Sequence, residues 1–148
     1  MTTDSNRDRI GRKIGYWVAT GLVALGFISG GAFDLARGPN VQAVMTHLGY
    51  PLYFAAILGL WKMLGAVAIV TPGLSRLKEW AYAGMFFDLS GAVASHLFSG
   101  DGASQVVTPL VLLALVVVSW ALRPSGRVLM SAPPVAGRAS AEPRQIPA

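Results

Sequence analysis

No cysteine occurs in the 148 residues. That absence removes disulfides, thiolate-held metals, iron–sulfur clusters and CxxC redox chemistry in one step. Charge is also scarce. Only 13% of residues are Asp, Glu, Lys or Arg, against 53% apolar residues and a mean hydropathy of +0.53. A soluble domain carries about 25% charged residues, so the composition points to a single-domain membrane protein. There are two histidines, His47 and His96, and only His96 falls within an apolar run, which leaves a bis-histidine haem in the bilayer without its second ligand. The chain has no E-x-x-H pair for a di-iron carboxylate site, no H-E-x-x-H, no Ser–His–Asp order, no P-loop and no Gly-rich phosphate fingerprint. No metal site and no catalytic residue is therefore assigned. No residue here would hold a redox cofactor covalently.

What is present in quantity is apolar helix-length sequence. Four runs are long enough to cross a bilayer, 14–33, 51–70, 80–98 and 106–122. Each matches a hydrocarbon core of about 30 Å at 1.5 Å per residue. The fourth carries no charge, whereas the third is interrupted by Asp88, Ser90, Ser95 and His96. A basic tail, 1–13, precedes the helical domain 14–123. The Pro-, Ala-, Ser- and Arg-rich segment 124–148 reads as a disordered tail. The first run exceeds the 7–15 or so apolar residues of a cleavable signal sequence and is read as an anchor.

The net charge of +5 and a pI near 10.1 would suit a nucleic-acid partner, but the positions of the charges argue for lipid instead. Of the 12 Lys and Arg, all but Arg37 and Lys62 lie in the two tails or in the loop between the second and third runs. The positive-inside rule then places both termini in the cytoplasm, which requires an even number of crossings. The expected architecture is an all-α, four-helix transmembrane bundle, up-down-up-down. Its expected partners are the bilayer or a second copy, and no nucleic acid. Tyr16, Trp17, Tyr50, Tyr53, Trp80, Tyr82 and Trp120 fall towards run ends, as interfacial aromatics do.

Two charges break the pattern. Lys62 stands in the middle of the second run and Asp88 in the middle of the third. A charge at the centre of a membrane helix costs about 3 kcal/mol or more and normally faces a partner or a polar cavity. Helix counting puts Lys62 about 16 Å and Asp88 about 18 Å below the outer boundary, so the two meet if the runs are antiparallel. Small residues flank each charge at helical spacing: Ala55, Gly59 and Ala66 beside Lys62, and Ala81, Gly84 and Gly91 beside Asp88. Gly26 and Gly30 form a G-x-x-x-G on the first run, a further packing candidate. The pair reads either as a structural ion pair fixing register or as a proton- or ligand-handling pair lining a cavity. Nearer the outer side, Asp34 and His96 are candidates for a vestibule above it, with His47 and Asp101 in the outer loops. The alternative is that they are solvated or interface residues without a role.

The segments His47–Phe54 (HLGYPLYF), Leu58–Ala66 (LGLWKMLGA), Leu77–Gly84 (LKEWAYAG) and Phe87–Ala92 (FDLSGA) together resemble the DoxX-like family of small bacterial membrane proteins. The resemblance covers about Tyr16 to Arg123 and implies a four-helix bundle in the inner membrane. The wider DoxX group is named for a small subunit linked to a terminal quinol oxidase and to thiosulfate:quinone oxidoreductase. The resemblance thus implies membrane redox or quinone chemistry, with a quinone or another lipid bound, a membrane redox subunit as partner, and this chain as a small accessory subunit that has no catalysis of its own. A small proton-coupled exporter of a lipophilic or small solute is the alternative that the buried charges support.

Overall fold

The computed structural model describes residues 3–124, with side chains from residue 6. The segment 124–148, expected to be disordered, lies outside the described residues except for Pro124. The regular structure among the described residues is helical. It comprises α1 (Thr3–Ala36), α2 (Pro39–His47), α3 (Leu52–Val70), α4 (Ser75–Phe98) and α5 (Ala103–Ala121).

Three of these helices are long and apolar enough to cross a membrane: α1 over Asn6–Ala36, α3 over Leu52–Val70 and α5 over Ala103–Ala121. With 24 residues, α4 has the length but not the hydropathy, because Lys78, Glu79, Asp88 and His96 dilute it. At 34 residues, α1 is about 51 Å long, well beyond a hydrocarbon core of about 30 Å. The first apolar run is thus the later part of a helix that continues through the basic tail.

The end of α1 is encoded in Arg37-Gly38-Pro39. Proline disfavours a helical conformation at the residue before it, and Gly38 is extended with ψ at 173°. Arg37 adopts a left-handed φ of 51°. Pro39 then opens α2 at a position where no N–H is needed. Two later turns share a glycine device. Gly49 (φ 76°) follows α2 and Gly100 (φ 74°) follows α4. Around them, the N–H of Tyr50 donates to Met45 O at 2.8 Å, and that of Asp101 to His96 O at 3.0 Å. These are Schellman closures, which need a left-handed residue that glycine adopts without penalty. His47, expected in a loop, is the last residue of α2.

The four long helices close a ring, with α1 packed on α3 and α5, and α4 packed on α5 and α3; α2 lies on α3. Neighbours run antiparallel, since rising numbers on one meet falling numbers on the next. Gly15 meets Leu122 and Gly26 meets Leu112, while Glu79 meets Arg123 and Tyr82 meets Ser119. The core comprises Val23, Ala24 and Phe27 of α1, Ala66 and Ile69 of α3, Tyr82, Met85 and Leu89 of α4, and Val116 of α5. Large apolar side chains also cover the outside, including Trp61, Trp80, Phe87 and Phe98. An exterior of this kind marks a surface meant for lipid or a partner.

The tightest helix contact is between Gly31 and Gly59. A Cβ built on Gly59 would lie 2.7 Å from the Gly31 carbonyl oxygen, and one on Gly31 would lie 2.9 Å from that of Gly59. The close approach is therefore of α3 to α1. The small-residue stripes do not bring α3 onto α4 as expected, because a Cβ on Gly84 or Gly91 would meet nothing within 4 Å. In the G-x-x-x-G pair, Gly26 seats Leu112 of α5, whereas Gly30 is open. Gly59→Ala should therefore cost about 1–3 kcal/mol, as overpacking does. Gly30→Ala and Gly91→Ala should be neutral or gain about 0.5–1 kcal/mol from helix propensity. Denaturation in mild detergent monitored by circular dichroism separates the two classes.

Candidate functional site

The Gly31–Gly59 crossing sets the site. In this antiparallel pair a Cβ on Gly59 would face Asp34 and one on Gly31 would face Lys62, so the two charged side chains reach across the crossing, and Lys62 Nζ donates to Asp34 Oδ2 at 2.8 Å. Asp88 of α4 approaches the same ammonium from the other side, with its Oδ2 at 3.9 Å. The three side chains are 15–22% exposed, so water reaches them only in part. Lys62 is thus shared by two acidic side chains on two helices, two carboxyl groups to one ammonium. Asp34, expected above this level in an outer vestibule, stands at it instead. The reason is that α1 stops at Ala36, and α2 rather than α1 carries the chain on to His47.

Beside these charges lies a cleft of about 690 Å³ between α3 and α4, a volume within the range of small-molecule sites. Its walls are apolar: Leu58, Trp61 and Leu64 on α3, Leu77, Trp80, Ala81 and Met85 on α4, and Phe27 behind. Lys62 and Asp88 are the charged residues that line it. The cleft exists because α4 presents Ala81 and Gly84 where a larger side chain would fill the space. It is not sealed from the outside, as Trp61 is 67% and Trp80 79% exposed.

His96 is not brought to Asp34. Its Nδ1 lies 2.6 Å from Asp101 Oδ2, and His47 Nε2 lies 2.7 Å from Asp101 Oδ1. The Schellman turn at Gly100 folds Asp101 back over His96, and α2 delivers His47 to the other oxygen. One carboxylate thereby ties α2 to the α4–α5 turn, with Tyr50 and Ser95 hydrogen-bonded alongside at 2.9 Å. The hydrogen bond from His96, with a smaller contribution from His47, holds the Asp101 carboxyl below its usual range.

Several polar groups escaped the reading of the sequence. Thr20 Oγ1 and Tyr82 OH each lie 2.7 Å from Ser119 Oγ, joining α1, α4 and α5 through a buried hydroxyl chain. Tyr82, expected as an interfacial aromatic, is in the core. Lys78 is buried rather than a solvated loop charge, and its ammonium donates to the Thr71 carbonyl at the end of α3. Arg123 is also buried. Its Nη1 lies 2.8 Å from Glu79 Oε1, and its guanidinium lies over the Tyr82 and Trp120 rings. A Glu placed 44 positions before an Arg carries no local signal, so only the helix pairing reveals the contact. No cluster of three or more metal-ligating side chains suited to a metal ion occurs among the described residues.

Two outcomes follow. Lys62→Met removes the cation that both carboxylates share and should cost about 3 kcal/mol, the low end for a broken buried pair. Asp88→Asn, acting at the longer contact, should cost less than about 1 kcal/mol. Unfolding of both variants in detergent gives the comparison. At the α4–α5 turn the pH dependence has a definite sign. Asp101 titrates lower when folded than its unfolded value of about 4. Its contribution is therefore complete above that value and is lost as pH falls through the lowered one. Asp101→Asn should remove that acid-sensitive component from a thermal-stability profile between about pH 2 and 6.

Comparison with known proteins supplies the rest. A segment of 78 residues, 51% of this chain, is 30% identical to the uncharacterized protein YdgD of Bacillus subtilis (strain 168), covering 68% of that protein. No solved structure matches the chain closely enough to carry a comparison. The family model described as DoxX-like family matches residues 18–119, which take in the later part of α1 and nearly all of α2 to α5. With its three membrane-competent helices and the charged cleft between α3 and α4, this chain belongs to the DoxX-like family.

Proposed function

We propose that this protein holds a lipophilic small molecule in the α3–α4 cleft and serves as a small accessory subunit of a quinone-linked redox system. In this reading α4 is a fourth crossing. At about 36 Å it has the length, and its polar groups turn towards Lys62, Ser119 and Asp101. Both termini then face the cytoplasm, and the protein sits in the bacterial inner membrane. The observation that carries the reading is a cleft of about 690 Å³ with apolar walls and charges at Lys62 and Asp88. Such a shape suits a ligand with an apolar body and a polar head, reached sideways from the bilayer. A quinone is the member of that class that the redox setting favours. The protein itself contributes binding and orientation rather than catalysis.

Because Trp61 and Trp80 line the cleft, occupancy is directly readable. Mass spectrometry of lipid extracts from the protein purified in mild detergent should find a quinone or another lipophile in excess over the bulk lipids. A short-chain quinone should quench the tryptophan emission saturably, and the combined Trp61→Phe and Trp80→Phe variant should lose most of that quenching. A preparation with no enriched lipophile and only linear, collisional quenching would sink the proposal.

A further inference from the structure

The head of the cleft is unbalanced in charge, and that imbalance bears on what it accepts. Lys62 makes its short contact with Asp34 at 2.8 Å, and Asp34 does not line the cleft. Those two groups neutralise each other. Asp88 lines the cleft and stands 3.9 Å from the same ammonium, so its carboxylate has no cation of its own. Arg37, three residues beyond Asp34, is exposed and pairs with no carboxylate among the described residues. In apolar surroundings an unbalanced charge costs several kcal/mol and is normally met by a partner of opposite sign. The space in which such a partner would stand is the cleft.

We infer that the α3–α4 cleft selects lipophiles with a cationic, hydrogen-bond-donating head, a protonated alkyl amine being the simplest, with Asp88 as the specificity-determining residue. The ammonium head pairs with Asp88 and brings the cluster to neutrality, while the alkyl chain lies along Trp61, Leu64 and Ala81. An anionic head meets the Asp88 carboxylate beside a lysine already engaged by Asp34, and is rejected. A neutral alcohol keeps the apolar contacts but leaves the charge on Asp88 unmet. This inference rests on the reading that the cleft holds a lipophile. It is independent of the redox role, and a cation-selective cleft would serve an exporter equally well.

The test uses the full-length protein in a nonionic detergent, with tryptophan quenching or calorimetry as the readout. Dodecylamine, dodecanol and dodecanoate are titrated at neutral pH. Dodecylamine should bind about tenfold or more tighter than dodecanol, equivalent to about 1.4 kcal/mol, and dodecanoate should bind weakest. Asp88→Asn should bring the amine down to the level of the alcohol. Equal affinities for the three heads in the wild-type protein would overturn the inference, since a proton on Asp88 would then already balance the site. Tighter binding of dodecanoate would overturn it too. The wild-type series decides the question even where Asp88→Asn fails to fold. If none of the three binds but a quinone does, this inference fails and the proposed function stands. If neither the three probes nor a quinone bind, the proposed function fails as well.

Discussion

An ammonium in the middle of an apolar helix has to be met by opposite charge from other helices, and the arrangement of α1, α3 and α4 is consistent with that need. Lys62 cannot reach water easily from the centre of α3, and at that depth an unmet charge costs about as much as a large share of a domain's net stability. Asp34 needs the lysine in turn. It sits in the last turn of α1, where a negative charge opposes the helix dipole. The two can meet at 2.8 Å because Gly31 and Gly59 remove the side chains that would hold the backbones apart. The ion pair and the glycine contact are thus one feature, since the crossing that admits the backbones also aligns the charges. Asp88 enters later in the hierarchy. Its longer contact fits a residue positioned by α4 packing on α3 rather than one that determines that packing.

Much of this was legible in the sequence, for a physical reason. The rise per residue of a helix is fixed, so counting along a run reads depth, and apolar length reads the existence of α1, α3 and α5. Counting does not read faces or partners. Gly59 was visible as part of a small-residue stripe, but nothing local states that it meets α1 rather than α4. Asp34 was placed too far out because hydropathy marks where a run is apolar, not where its helix stops. The stop lies in Arg37-Gly38-Pro39, a backbone signal, and α2 then takes the chain outward to His47. The buried Lys78 and Arg123 were hidden by a rule that is statistically sound. Basic residues flanking membrane helices are usually solvated, and these two instead find a carbonyl and a carboxylate on neighbouring elements.

The turns carry more of the design than their length implies. Gly49 and Gly100 each close a helix with a left-handed residue, and each leaves a histidine close by, His47 and His96. The Gly100 closure also swings Asp101 to where both imidazoles reach it. A single carboxylate therefore joins the end of α2 to the end of α4. The dipeptides Ser99-Gly100 and Asp101-Gly102 are recognisable turn signals. What they could not announce is that the aspartate would be used on both oxygens.

The character of α4 draws these points together. It is too polar to qualify as a span by hydropathy, yet its length and its place between α3 and α5 are those of one. The contradiction resolves when each polar group is assigned a neighbour. Glu79 has Arg123, Tyr82 has Ser119, Asp88 has Lys62, and His96 has Asp101. A helix whose polar groups are mostly answered by its neighbours, with Asp88 met only at its long contact to Lys62, presents few of them to lipid, so bulk hydropathy understates its fitness as the proposed fourth crossing. The same helix leaves a gap at Ala81 and Gly84. In a soluble protein such a gap would collapse or fill with water, but in a bilayer a hydrocarbon chain can occupy it. An ordinary acyl chain suffices for the walls at Leu64, Leu77 and Trp80. It does nothing for Asp88. The charge at the head of the cleft is therefore what separates a groove that lipid fills by default from one that distinguishes among its occupants.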